Sequence, residues 1–381
     1  MTRRSAHLVI TGTYRSGTTL AERLVDNSSD AYCAPQPFPY LYLTAKRRFL
    51  QQTGRAVPQY PIGDGFHDPA HHPDELAAFL RSDVIDRDTI RSTFRAMQGY
   101  SGAQTPELAD VVEQLPEGTL VEIVTAMHAL LAHARRREAT LLASKDILVE
   151  EFSPTFAAAG IKSLIVVRDP RRVVASTFGP AASAWTGRTR PLLYTVRLWR
   201  KSIAYALDSR HGVAVARLED LVAAPADTLR TAMHELAIEW DGAPRNPLSD
   251  AQGAVWAPNT SFPEGGANAT DMLSERQLAY VEALARPEML ALGYEPLTDA
   301  AAADDALTAF RPDDDPGRDH PAFQPDLGTD PAQLALERRR LHYLRTGEPV
   351  PDETEWFVRP GVRSRLAAAP APGATSRGAP A

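Results

Sequence analysis

The sequence holds a single cysteine, Cys33, among 381 residues, which rules out an internal disulfide and suits a reducing compartment. It has no run of about 18 apolar residues, so no segment is fit to span a membrane. The basic start, Met-Thr-Arg-Arg, leads into an apolar run too short for the core of a secretory signal. A surplus of positive charge is missing as well. With 41 Lys and Arg against 48 Asp and Glu the net charge is −7, so there is no overall nucleic-acid footprint and any affinity for anions must be local. No internal repeat is present. These absences predict a soluble, cytoplasmic protein without a nucleic-acid partner or a membrane span. What is there is ordinary for a globular chain, 44% hydrophobic and 23% charged, and long enough for a large core.

One more absence lies in the stretch around which the chain is organised. Residues 7–19 run His-Leu-Val-Ile-Thr-Gly-Thr-Tyr-Arg-Ser-Gly-Thr-Thr. Leu8, Val9 and Ile10 form a short apolar run suited to a buried strand. Gly12 stops it, Gly17 follows five residues later, and Leu20, Ala21, Leu24 and Val25 then recur at helical spacing. A strand, a glycine-punctuated turn and a helix aim backbone N–H groups and a helix N-terminus at one point, which binds phosphate or another compact anion. A Walker loop of this spacing ends Gly-Lys-Ser/Thr, with the lysine on the β- and γ-phosphates. Here Thr18 stands where that lysine would be, and a cation, Arg15, lies inside the loop. The missing lysine argues against ATP–Mg²⁺ and for a different 5′-phosphoanhydride.

The run Gly12-Thr13-Tyr14-Arg15-Ser16-Gly17-Thr18-Thr19 resembles the 5′-phosphosulfate loop of the sulfotransferases, which reads Gly-Thr-Pro-Arg-Ser-Gly-Thr-Thr or Thr-Tyr-Pro-Lys-Ser-Gly-Thr. A second segment extends the resemblance. Residues 164–167 read as an apolar strand with Arg168 at its end, and Pro170 suits the first turn of a helix. Ser176 follows eight positions after Arg168, the spacing of the family's 3′-phosphate motif. A guanidinium gives a forked, charge-assisted grip on phosphate, and a serine adds a donor. The resemblance covers roughly residues 5–295, closing on Leu292-Gly293-Tyr294, and is strongest in these two motifs.

It implies an α/β, three-layer P-loop-type domain with a central parallel sheet, a helical insertion over about 41–135 and a C-terminal extension. The implied activity moves the sulfuryl group of 3′-phosphoadenosine 5′-phosphosulfate (PAPS) to a hydroxyl acceptor with no metal; a reducing compartment leans the acceptor toward a small molecule, with a secondary metabolite, a lipid and a carbohydrate all open. Arg15, Ser16, Gly17, Thr18 and Thr19 would hold the 5′ side of the donor, and Arg168 and Ser176 its 3′-phosphate. Residues 140–144 read as a strand running into Lys145 and Asp146, at the carboxyl edge where such sheets bind ligands. By the resemblance Lys145 contacts the sulfonate and shares its charge with Arg15; Asp146 beside it is one candidate general base, and a histidine of the insertion is another. The plain alternative is a surface Lys–Asp pair. Some branches of the family carry a base glutamate in the loop after the second strand; here Gln36 stands there, cannot take a proton, and is left as an acceptor contact. Trp256 and Ser261 resemble a nucleotide-closing segment. Two other functions stay open: a P-loop kinase using ATP–Mg²⁺, and a nucleotide-binding module whose chemistry has decayed.

Elsewhere the reading is structural. His67, His71 and His72 lack the spacing of a zinc site and read as loop histidines. Glu219 and Asp220 read as caps. Apolar periodicity predicts helices over 41–52, 73–84, 86–99, 120–134, 190–210 and 274–285. Residues 298–329 are acidic and proline-rich and read as an extended arm. Asp330 and Pro331 then start a helix that ends before Gly347, and it either packs back on the domain or joins copies into a homo-oligomer. The expected division is 1–297 for the α/β domain, 298–365 for the arm and helix, and 366–381 for an Ala/Pro/Gly-rich disordered tail.

Overall fold

The computed structural model describes residues 5–63, 71–101, 104–135, 137–177, 189–208, 212–240, 242, 244–245, 247–249, 254–256, 272–323, 327–348, 359 and 361–367. Five strands, β1 (Ala6–Thr11), β2 (Ala31–Pro35), β3 (Leu141–Lys145), β4 (Lys162–Val167) and β5 (Val213–Arg217), form one sheet. All neighbours are parallel, in the order β2-β3-β1-β4-β5. β2 and β3 are buried at every position, as strands covered on both faces must be.

The first helices in chain order are α1 (Thr18–Asp26), α2 (Pro39–Gln52), α3 (Pro73–Leu80), α4 (Arg87–Ser101), α5 (Leu108–Val111) and α6 (Leu120–Ala134). They are followed by α7 (Ser153–Ala158), α8 (Pro170–Ala175), α9 (Leu192–Leu207), α10 (Leu218–Ala223) and α11 (Pro225–Glu235). The last are α12 (Glu275–Ala291), α13 (Ala303–Ala309), α14 (Pro331–Thr346) and α15 (Arg363–Ala367). The chain forms two compact units, residues 1–168 with 208–264, and residues 169–207 with 265–381.

The first unit holds the sheet between two helical layers. On one face Leu8 and Ile10 pack with Leu20 and Leu24 of α1 and with Leu229 and Met233 of α11. On the other, Val9, Tyr32 and Leu142 pack with Tyr42 and Phe49 of α2, Met127 of α6, and Phe152 and Phe156. The architecture is therefore α/β in three layers, with α2 to α6 inserted between β2 and β3. α6 starts on a capping box between Thr119 and Glu122. A fully buried ion pair, Lys46 with Glu151, ties α2 to the segment after β3.

Strand order places the site. The chain leaves β1 toward β2 on one side and leaves β3 toward β4 on the other, so the edge between β1 and β3 is a topological switch point. Open α/β sheets bind ligands in the crevice at that point.

In the second unit α9, α12 and α14 are joined by buried charges. Glu337 of α14 accepts from Arg197 and Arg200 of α9 at 2.8 and 2.6 Å, and Glu288 of α12 pairs with Arg340 of α14. α12 runs through Pro287 to Ala291, past the expected end near 285, because Glu288 and Met289 beyond the proline are buried in the unit. Residues 298–323, read from sequence as an extended arm, include α13 and short turns. Leu307 and Phe310 are buried, Phe310 stacks on Tyr280 at 3.8 Å between ring centroids, and Asp315 accepts from the Leu192 N–H at 3.2 Å. An acidic composition reads as solvated only until its carboxylates have fixed partners. α14 begins on an Asp330 cap and ends at Gly347 with φ 79°. The expected tail lies outside the described residues from 368 onward. Among the described residues no helix is long and apolar enough to cross a membrane.

Candidate functional site

The loop from β1 to α1 is built by its two glycines. Gly12 has φ 150° and Gly17 φ 98°, both open to glycine and costly for other residues. A Cβ at Gly12 would run into the Val166 carbonyl oxygen, and one at Gly17 into the Leu218 side chain. Gly17 is also the N-cap of α1, which has no side-chain cap and no acidic residue in its first turn. First-turn amides have no intrahelical acceptor, so with the helix dipole they present positive charge to the loop.

Arg15 takes φ 67°, a left-handed conformation that costs a non-glycine residue about 1–3 kcal/mol. The fold holds it there: its carbonyl accepts from Arg168 Nη1 at 3.1 Å. Ser16 closes the turn through Oγ to the Thr13 carbonyl at 2.6 Å. The Arg15 guanidinium is partly buried, and burial lowers its pKa without threatening its charge.

The end of β3 is stitched to this loop. The Asp146 N–H donates to the Ile10 carbonyl at 3.0 Å, and the Leu148 N–H to the Gly12 carbonyl at 3.1 Å. The Gln36 N–H donates to the Lys145 carbonyl at 2.8 Å, and Lys145 Nζ donates to Gln36 Oε1 at 3.2 Å. Alternation along β3 sends Lys145 to the face of Leu141 and Ala143, the α1 side. Asp146 instead meets the Tyr42 and Ser144 hydroxyls on the α2 side. Both hydroxyls favour its ionised form, although neither makes a well-aligned hydrogen bond to it.

Burial sets the electrostatics. It pushes the Asp146 carboxyl up to about 7 against the pull of Lys145. It pushes Glu22 on α1 up to about 7, against Arg23 and Lys145. It lowers Lys145, while Glu22 and then Asp146 draw it back up. Lys145 is 4% exposed and Asp146 0%, so a surface ion pair is excluded.

The residues singled out in the sequence thus fall in three places. Arg15, Ser16, Gly17, Thr18 and Thr19 form the loop and first turn, and Arg168 touches that loop from the end of β4. Gln36 and Lys145 are bonded beside it, with Asp146 on the opposite face. Ser176 caps the end of α8 in the second unit and donates to the Val173 carbonyl at 2.8 Å. Trp256 packs against the α1-side core, while Ser261 and His67 lie outside the described residues. His71 and His72 sit near carboxylates, Glu151 at 3.9 Å and Glu75 at 3.5 Å. Among the described residues no group of three or more His, Cys, Asp and Glu gathers as metal ligands would. Glu219 and Asp220 lie in the first turn of α10. Sequence reading passed over Glu22, Tyr42 and Ser144. The one signal for Glu22 is its place four residues after Thr18, on the same helix face.

No protein-family model matches the sequence, and no curated protein matches it. Among solved structures the chain is similar to a sulfotransferase domain from the curacin biosynthetic pathway. The identity is 15%, covering 63% of this chain and 76% of that one, with a TM-score of 0.32. It is also similar to a sulfotransferase domain from the Synechococcus PCC 7002 olefin synthase, at 18% identity, 82% and 91% coverage and a TM-score of 0.33. At such identities and TM-scores the functional reading rests on the geometry of the site itself.

Proposed function

We propose that the chain moves the sulfuryl group of PAPS to the hydroxyl of a small-molecule acceptor. The observation that carries this reading is the bond from Arg168 to the Arg15 carbonyl, which sets a buried guanidinium against an anion loop that lacks the Walker lysine. The residues fit the donor. The loop and the uncapped start of α1 suit the 5′-phosphate, and Arg168 suits the 3′-phosphate. Ser176 belongs to the other unit and takes its part in the reading from sequence spacing alone.

When bound, the donor supplies a sulfuryl group on a good leaving group, adenosine 3′,5′-bisphosphate. Transfer of this kind is mostly positioning and charge stabilisation. Arg15 and Lys145 hold the charge that gathers on the bridging and sulfonate oxygens. Asp146 is the base of this reading, which requires the acceptor hydroxyl to reach it from the α2 side of the same strand end. Gln36 fixes Lys145 and contacts the acceptor. The cations of this scheme are side chains, and it uses no metal. A cytoplasmic setting goes with the reading, resting on the lone, buried Cys33.

The expected result is that adenosine 3′,5′-bisphosphate binds in preference to ATP without Mg²⁺, and that labelled PAPS with a panel of hydroxylated small molecules gives a sulfated product. Mg²⁺-dependent ATP binding would mark a kinase instead, and binding without product from any acceptor a non-catalytic module. Arg168→Ala is expected to weaken adenosine 3′,5′-bisphosphate about 10- to 100-fold relative to adenosine 5′-phosphosulfate, the size of one charged hydrogen bond. The ratio matters because losing the brace on Arg15 weakens both nucleotides. Equal loss for the two would remove Arg168 from the 3′-phosphate.

A further inference from the structure

Gln36 follows β2 and stands between Pro35 and Pro37. Its φ is 51°, a left-handed conformation that a non-glycine residue takes only under strain, and the proline after it narrows its backbone further. Such a conformation persists where the surroundings hold it. Here the Gln36 N–H donates to the Lys145 carbonyl at 2.8 Å, and the buried Thr105 hydroxyl donates to the Pro35 carbonyl at 2.7 Å. The side chain is held too, by the bond from Lys145 Nζ to Gln36 Oε1 at 3.2 Å. An ammonium only donates, so the amide must turn its oxygen to Lys145 and its nitrogen, with two N–H groups, the other way. Gln36 makes no other side-chain hydrogen bond among the described residues. It is partly exposed and neither amide atom is a buried orphan, so the N–H groups are open to a ligand.

We propose that Gln36 is a catalytic residue that donates a hydrogen bond to the sulfonate being transferred, rather than a general base that has lost its acid. The proposal rests on the transfer reading above, in which Lys145 meets that sulfonate. Gln36 holds the same ammonium, so its N–H groups lie beside the same anion. Sulfonate oxygens carry no proton and only accept. The hydroxyl being sulfated is the poorer partner, because a donor on its oxygen would occupy the lone pair that must attack sulfur. The second N–H is left for the acceptor contact, away from that oxygen. A rigid mount suits a donor that must be aimed before the substrate arrives.

Three roles for Gln36 predict three different orders of activity, and Gln36→Met and Gln36→Glu in the full-length protein separate them. Both replacements face the same backbone demand as glutamine. A sulfonate donor gives the order Gln, Met, Glu, since Met loses the bond and Glu adds a charge that repels the sulfonate. The expected kcat/KM for PAPS falls about 10- to 100-fold in the Met variant, the size of a hydrogen bond to a charged group, and further in the Glu variant. A tether for Lys145 would be served by Glu as well as by Gln, with Met the worst. A lapsed base would make Glu faster than Gln and add an acidic limb to the pH profile. Either of these last two orders overturns the proposal. Binding without an acceptor reads the contact apart from turnover. Gln36→Met should weaken PAPS about 10-fold or more while adenosine 3′,5′-bisphosphate, which has no sulfonate, stays within about twofold. Equal effects on the two nucleotides overturn the proposal. In a Lys145→Met background Gln36→Met still weakens PAPS; no further loss there means that Gln36 acts only through Lys145, which also overturns it. A wild-type protein that binds neither nucleotide sinks the transfer reading and takes the proposal with it, whereas an active enzyme whose Glu variant keeps its rate sinks the proposal alone.

Discussion

Lys145 and Asp146 are neighbours in the chain but leave the end of β3 on opposite faces, each still pulling the other toward its charged form. A strand sends successive side chains to opposite faces, so their parting was legible in the alternation of Leu141 to Lys145. Their burial was not, because it depends on α1 covering one and α2 covering the other. For Asp146 that burial has a sign that can be measured. Its ordinary pKa is 3.8 and the fold raises it to about 7. Between those values the native state keeps a proton that the unfolded chain releases. The stability tied to this group is thus whole below about pH 4 and is lost as pH rises through about 7. Asp146→Asn removes the titration while keeping the shape. Its Tm advantage over wild type should grow between about pH 4 and 7 and level off above, by about 2–4 °C for each kcal/mol. A Tm difference constant with pH would show that Asp146 does not titrate there. If Asp146 is the base, the same variant loses about 100-fold in kcat.

At the scale of elements, the loop from β1 to α1 was the most legible part, since Gly12 and Gly17 encode backbone angles that other residues take only under strain. Gly12 is the sharper test because the obstacle to a side chain is the Val166 carbonyl, part of a central strand that cannot yield. Gly12→Ala should cost about 1–3 kcal/mol in urea unfolding and abolish binding of adenosine 3′,5′-bisphosphate. Binding at wild-type strength would mean that the loop is not the cradle. The ends of α14 were equally plain, because Asp330, Pro331 and Gly347 act on the backbone within one turn. α12 was not, since Pro287 is a local stop signal that buried side chains on both sides of it overrule.

For the molecule as a whole, the acidic segment after residue 298 folds as part of the second unit. Asp315 takes the Leu192 amide at the start of α9, and Glu337 takes Arg197 and Arg200 from the same helix. A chain cut after residue 297 leaves those arginines without their carboxylate, a loss of about 3–5 kcal/mol when such a pair is buried. Limited proteolysis with mass spectrometry should then find α9 cleaved readily in the shortened chain and protected in the full one. Equal protection would show that these pairs contribute nothing to the unit.

By itself the sequence determined the strand, loop and helix of residues 7–26, the place of Arg168 at a strand end and the caps of α14. Each of these follows from glycine spacing, apolar runs or capping residues acting over a few positions. Only the tertiary structure decided the strand order, the bond from Arg168 to Arg15 and the separate surroundings of Lys145 and Asp146. Those depend on burial and on partners far apart in the chain: Lys145 meets Gln36 across 109 positions and Arg168 meets Arg15 across 153. No local pattern specifies a contact at that distance.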